Sequence, residues 1–309
     1  MMSLIRGTLI ATLLFLAAGV VPATAASWII LDDNTGHVLA ASGQNEKRQI
    51  ASLTKIATAM VVLDWAEASG TSLSTLVSVP SEVGGVGGVN PCQLQPGDQI
   101  SLRDLLYSAM MSSDNHAAYT LAQNVGGRLP NPQALSPVDN FSAHMNALAR
   151  KLGMKRSLFL NPHGLDNLSP PPHSTAADLA RLTRYAYSRA GFNFYVSQPT
   201  REISIQGIDG ATRGFLLRNT NELLGRDGIE GVKTGRTRLA GDCIVLAADR
   251  EPEAVERDGQ KIAIPRRIIV VLLGSADRFS EGLALIQRGW SLHESWSAEG
   301  RPVSKRSTL

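Results

Sequence analysis

Strand-like segments at both ends of the chain enclose a run of helical ones, and that order leaves few architectures open. SWIILDD (27–33) and HVLAA (37–41) flank the turn-like DDNTG, which predicts a hairpin that starts a sheet. Residues 52–68, SLTKIATAMVVLDWAEA, follow a helical pattern with Ser52 as a candidate cap and Gly70 just past the end. From 102 to 191 the periodicity is helical in four stretches, broken by PNPQALSP and NLSPPPH. From 200 onward strand-like segments return as TREISIQG, GFLLRN, GIEGVKTGRT, GDCIVLAADR and RRIIVVLLGSA, before a closing helical FSEGLALIQRGWSLHESW. This order predicts an α/β (α+β) fold: a composite sheet drawing strands from both chain ends, with a helical subdomain inserted between its first strands and the rest. The Gly- and Pro-rich stretch 81–98, SEVGGVGGVNPCQLQPGD, predicts a surface loop, and the polar tail 298–309 predicts a disordered end.

The first residues bear on where such a fold works. One positive charge, Arg6, precedes the apolar run TLIATLLFLAAGVV, and Ala23-Thr24-Ala25 suits signal peptidase, so residues 1–25 are read as a removed signal peptide. An uncleaved anchor is the competing reading, since the run is near the lower limit for spanning a bilayer. No later stretch is apolar and long enough to cross one, which predicts a secreted or periplasmic protein without a stable membrane anchor after cleavage. Removing the signal takes away only Arg6 and leaves 29 basic against 27 acidic residues. A charge of +2 is too small to argue for nucleic acid. Cys92 and Cys243 could pair in an oxidising compartment or stay as free thiols, and the sequence leaves both open.

Three short motifs carry chemistry. In Ser52-Leu53-Thr54-Lys55, positions i and i+3 of a helix share a face, so the hydroxyl and the amine can touch. A serine hydroxyl needs a base within reach, and a lysine serves as one only when burial lowers its pKa. The unpaired N–H groups of the helix start would lie beside an oxyanion. Taken alone, this motif is better explained by a helix cap and a solvated lysine. Ser113-Asp114-Asn115 adds a hydroxyl that could relay a proton and a carboxamide that could hold a substrate amide or Lys55. Lys233-Thr234-Gly235 adds a cation, a hydroxyl and a position without a side chain, where a ligand could approach backbone. Ser113 lies 61 residues after Ser52 and Lys233 a further 120 on, which spreads the motifs over a helix start, the helical block and a strand. Three walls of one cleft could come from these places. His163 and His173 lie in NPHG and PPHS; no third ligand is spaced to join them in a metal site, and structural hydrogen bonding is expected instead.

In this order the motifs resemble those of the low-molecular-mass penicillin-binding proteins, the serine-type D-Ala-D-Ala carboxypeptidase/endopeptidase family. FLNPHGLDN, HSTAADLARL, RNTNELLG and GVKTGRTRLAGDCIVLAA look like family segments too, and the likeness extends over about residues 27–296. It implies a β-lactamase/transpeptidase-like fold with a mainly antiparallel sheet flanked by helices, and one catalytic domain over 26–297. It implies that Ser52 forms an acyl-enzyme, Lys55 takes its proton, and Ser113 and Asn115 border the cleft. Lys233 and Thr234 would bind the substrate's terminal carboxylate, and the N–H groups of Ser52 and of Arg236, just after Gly235, would form the oxyanion hole. Peptidoglycan stem peptides are then the expected partners and β-lactam antibiotics the expected covalent inhibitors, with no metal or organic cofactor.

One position departs from the pattern. Some carboxypeptidases of the family carry Arg inside an Asn-x-Asn segment; here that position is Thr220, and Arg218, Arg236 or Arg238 would have to substitute. Carboxypeptidases of the family commonly carry an additional β-rich domain and an amphipathic anchor, for which the residues after Trp296 leave no room, so the single-domain chain resembles the endopeptidase branch more closely. A class A β-lactamase shares the motifs but uses a loop Glu for deacylation, and no Glu occurs between Glu82 and Glu202. A non-catalytic cell-wall binding module would have lost the nucleophile or the base, and both are present.

Overall fold

In the computed structural model, residues 26–257, 260–305 and 307–309 are described; the expected signal at 1–25 lies outside them. Five antiparallel strands form the main sheet in the order β2-β1-β9-β8-β7. Its strands are β1 (Ser27–Asp32), β2 (Val38–Ser42), β7 (Ile229–Thr237), β8 (Gly241–Arg257) and β9 (Gln260–Ser275). Both chain ends do contribute. The central strands read as near-continuous apolar runs because both faces are covered. On β9, Ile269, Val271 and Leu273 point into one core with the helical block, whereas Ile268, Val270 and Leu272 point into a second core under α6 (Arg278–Ala298). Gly289 lets α6 lie close: a Cβ there would meet Ile268 Cδ1 at 2.8 Å and Ile30 Cγ2 at 2.9 Å.

The strands at 200–218 do not join this sheet, as the sequence reading had placed them. Strands β5 (Thr200–Gln206) and β6 (Thr212–Arg218) pair with the short β3 (Leu76–Ser78) and β4 (Gln99–Ser101) in a separate four-stranded sheet, β3-β4-β5-β6. The reason lies in the pattern of TREISIQ. Only Ile203 and Ile205 are buried, while Glu202, Ser204 and Gln206 face water, so the strand suits a sheet covered on one side.

Helix α1 (Thr54–Ser69) runs through the middle of the helical block, and every residue from Thr54 to Val62 is buried, as expected of a helix that is apolar all round. Around it stand α2 (Leu102–Met111), α3 (Asn115–Gly126), α4 (Pro137–Lys151) and α5 (Ala176–Tyr187). Side chains start these four: Ser101, Asp114, Ser136 and Thr175 each accept backbone N–H groups of the first turn. Gly70, at φ +66°, ends α1 as predicted.

The tail, read from its composition as unstructured, lies against the free edge of β2. Val38 N–H donates to Ser307 O at 2.7 Å and Leu309 N–H to Gly36 O at 3.1 Å. An edge strand offers unpaired backbone groups, and the tail takes some of them up. Cys92 and Cys243 are both buried free thiols. Among the described residues, no helix is long and apolar enough to cross a membrane.

Candidate active site

Ser52 does not cap α1. It sits in a short 3-10 turn, Ala51–Leu53, that leads into the helix; the N-cap position falls on Leu53, with no side-chain cap. The turn is strained at Ala51, whose φ is +47°, a conformation rare for alanine. Two glycines make room for it. A Cβ on Gly164 would come within 1.9 Å of Ala51 O, and one on Gly235 would lie 3.0 Å from Ile50 O and 3.1 Å from Ser52 N. Gly235 thus lets β7 lie directly against the Ser52 backbone, with the Arg236 N–H following in the same strand.

Lys55 is fully buried rather than solvated. Its Nζ lies 3.0 Å from Ser52 Oγ, 2.7 Å from Asn115 Oδ1 and 2.9 Å from His163 O, and among the described residues it has no other hydrogen-bond partner. Burial pulls its pKa down to about 7, against an opposing pull from Asp114. The three contacts have a definite chemistry. Asn115 Nδ2 donates to Gly87 O at 2.9 Å, which fixes the carboxamide so that Oδ1 faces Lys55. A neutral amine has two protons, and the Asn115 and His163 oxygens, which can only accept, take both. Its lone pair is then left for the Ser52 hydroxyl.

Ser113 has φ +61° and, among the described residues, its hydroxyl has no hydrogen-bond partner. Beside it, buried Asp114 caps α3 by accepting from His116 N and Ala117 N, and it also accepts from Ser108 Oγ at 2.9 Å. Ser108 in turn meets Cys92 Sγ at 3.1 Å, and burial pushes that thiol up to about 12. The cap orients Asn115, the first residue of the helix.

On the opposite wall, Lys233 is buried and donates to Thr234 O at 3.1 Å. Burial first, then Lys55 and Arg278, push its pKa well below the usual lysine value. Thr234 Oγ1 lies 2.7 Å from Thr220 Oγ1. Thr220 N–H donates to Met111 O, and Ser112 Oγ to Arg218 O, so the Asn219-Thr220-Asn221 segment ties the second motif to the third. A fourth arginine, besides the three candidates, lies beside this strand. Arg218 and Arg238 are exposed, and Arg236 is exposed with its Nε 3.3 Å from Asp242. Arg278, at the start of α6, donates from Nη1 to Gly235 O at 3.3 Å and to Asp242 at 3.2 Å. Among the described residues, its buried Nε has no hydrogen-bond partner.

All three motifs therefore come together, and residues outside them complete the site. His163 contributes its backbone oxygen, while its ring is held neutral by burial and by Lys55, with a pKa near 3. Asp166 accepts from Thr237 Oγ1, which joins the 161–168 loop to the end of β7. Among the described residues, His173 bonds to Pro171 O and pairs through its backbone with Leu158. Among the described residues, no three His, Cys, Asp or Glu side chains are grouped to hold a metal. The Gly in NPHG was the available signal for His163, since a glycine there permits the approach to Ala51.

The family described as D-alanyl-D-alanine carboxypeptidase matches residues 17–256. A D-alanyl-D-alanine endopeptidase of Pseudomonas aeruginosa is 37% identical over 71% of this chain and 66% of its own length. A D-alanyl-D-alanine carboxypeptidase of Escherichia coli is 31% identical over 87% of this chain and 62% of its own. The chain thus spans about two thirds or less of the length of these relatives. The crystal structure of a Streptomyces DD-transpeptidase superposes with a TM-score of 0.73 at 28% identity, covering 85% of this chain and 96% of that one. A carboxypeptidase from Francisella tularensis, at 24% identity and a TM-score of 0.70, shares the fold over 84% of the chain.

Proposed function

The chain belongs to the family of D-alanyl-D-alanine carboxypeptidases, and on that footing we propose that it is a serine DD-peptidase that cleaves the D-Ala-D-Ala bond of peptidoglycan stem peptides. One observation carries this reading: Ser52 Oγ lies 3.0 Å from a fully buried Lys55 amine whose pKa is near 7 and whose other two contacts are acceptors. Neutral Lys55 takes the Ser52 proton as Oγ attacks the carbonyl of the penultimate D-Ala. The oxyanion is met by the N–H groups of Ser52 and Arg236, across the gap that Gly235 keeps open. The terminal D-Ala leaves as an amine, with Ser113 relaying its proton from Lys55, and water then hydrolyses the ester. Asn115 flanks the acyl part. Lys233 and Thr234 receive the terminal carboxylate, and Arg278 adds positive potential beneath the strand. A β-lactam would acylate Ser52 by the same steps. The signal-like first residues support a reading in which this work is done outside the cytoplasm.

Endopeptidase cleavage of cross-links is the second reading, and Thr220 favours it. A hydroxyl 2.7 Å from Thr234 Oγ1 stands where some carboxypeptidases carry a guanidinium, which leaves less charge committed to a free terminal carboxylate. A β-lactamase reading lacks its deacylating carboxylate: Asp114 is engaged as a helix cap and Asp166 bonds to Thr237. Labelled penicillin should bind covalently to the protein and not to Ser52→Ala; persistent labelling of the variant would remove Ser52 as nucleophile. The purified enzyme should also release D-Ala from a pentapeptide. Cleavage of a cross-linked muropeptide dimer with no release from the pentapeptide would select the endopeptidase.

A further inference from the structure

The proposed chemistry needs Asn115 in one orientation, and what holds it there is a loop that glycine makes soft. Asn115 Nδ2 donates to Gly87 O, within the stretch Ser81–Asn90 that contains four glycines. Gly88, at φ +85°, must be glycine, because a Cβ would lie 2.1 Å from Asn115 Nδ2. The loop also borders a cavity of about 380 Å³, shared with Tyr119, His163 and Leu165, which leaves unfilled space beside Gly85, Val86 and Gly87. Among the described residues, the hydrogen bonds tying 86–89 to the body of the protein all come from two consecutive positions. Asn115 supplies Nδ2 to Gly87 O and N–H to Val89 O at 2.9 Å, and His116 Nε2 donates to Val86 O at 3.0 Å. Among the described residues that is the ring's one hydrogen bond, since His116 Nδ1 is buried without a partner there. Because a carbonyl only accepts, Nε2 carries the proton.

We propose that His116 is a positioning residue: its imidazole pins the Gly-rich loop so that Gly87 O fixes the Asn115 carboxamide and, through Oδ1, the amine of Lys55. The linkage is short. Losing the Val86 bond frees the loop, Gly87 O drifts, and Asn115 can rotate its oxygen away from Nζ. The inference rests on the function proposed above, in which Lys55 activates Ser52.

The test is the rate of covalent acylation by a fluorescent penicillin. H116A should slow acylation about tenfold, as sub-ångström misplacement of reacting groups does, and H116Q, which can donate to Val86 O, should stay within about threefold of the native rate. Because His116 acts through Asn115, H116A should add less than about twofold in an N115A background. Native-rate acylation of H116A, or an equal loss with and without Asn115, would overturn the proposal. Should H116A not fold, H116M fills the space without a donor and carries the same expectations. Failure of the native protein to be acylated at all would instead count against the proposed function.

Discussion

Lys55 sets the pH dependence expected of the chain. A lysine whose pKa is lowered by burial is charged below that value and neutral above it, and only the neutral form can take the Ser52 proton. With a value near 7, acylation by a β-lactam should rise about tenfold per pH unit below neutrality and level off above about pH 8. Stopped-flow acylation rates between pH 5 and 9 check this; a rate still climbing steeply at pH 9 would mean that the amine keeps an ordinary lysine value. Asp114 is the neighbour that opposes burial, so Asp114→Asn should move the acid limb to lower pH, provided that α3 keeps its cap. Lys55 also acts on the second lysine of the site. Lys233 is pushed down first by burial and then by Lys55 and Arg278.

At the level of elements, close approaches position these side chains, and glycine permits them. Helix α6 presses on the sheet at Gly289, where a Cβ would come 2.8 Å from Ile268 Cδ1 and 2.9 Å from Ile30 Cγ2. Gly289→Ala should therefore cost about 1–3 kcal/mol by overpacking, although alanine is the better helix former. Urea denaturation measures the cost, and a stabilised variant would show that helix and sheet part easily. The sheet itself was legible in the sequence: RRIIVVLLG reads as a strand-like segment, and SWIILD with VLAA as a hairpin that starts the sheet. Ser52, Lys55, Ser113, Asn115 and Lys233 were legible for a different reason, because each motif is contiguous and a single turn or strand defines its local geometry. Arg278 and the His163 carbonyl were not. Each enters through long-range register, as when the pairing of Asp242 with Ser275 brings the start of α6 beneath Gly235. The separate small sheet was missed although TREISIQ alternates cleanly, because period two shows that one face is buried and not which strands are partners.

For the molecule as a whole, the sheet order separates two functions of its edges. Strand β7 lies at one edge and carries Lys233, Thr234 and Gly235, whereas β2 lies at the other, and three strands stand between them. The tail covers part of the β2 edge. Besides its backbone bonds there, Trp296 Nε1 donates to Pro302 O at 2.9 Å, Trp296 stacks on His37 at 4.6 Å, and Arg184 donates to Leu309 O at 3.3 Å. None of these groups contacts Ser52, Lys55 or Lys233. A net hydrogen bond contributes about 1 kcal/mol, and terminal segments contribute less where they fray, so deleting residues 302–309 should lower stability by about 1–3 kcal/mol. Acylation should stay within about twofold of the native rate, because sites that share no partners add independently. Denaturation and acylation measured on the same truncated protein test both halves. Unchanged stability would mean that the tail does not hold the edge in solution. A slowed acylation with the fold intact would mean that the β2 edge is coupled through the sheet to the strand against which Ser52 sits.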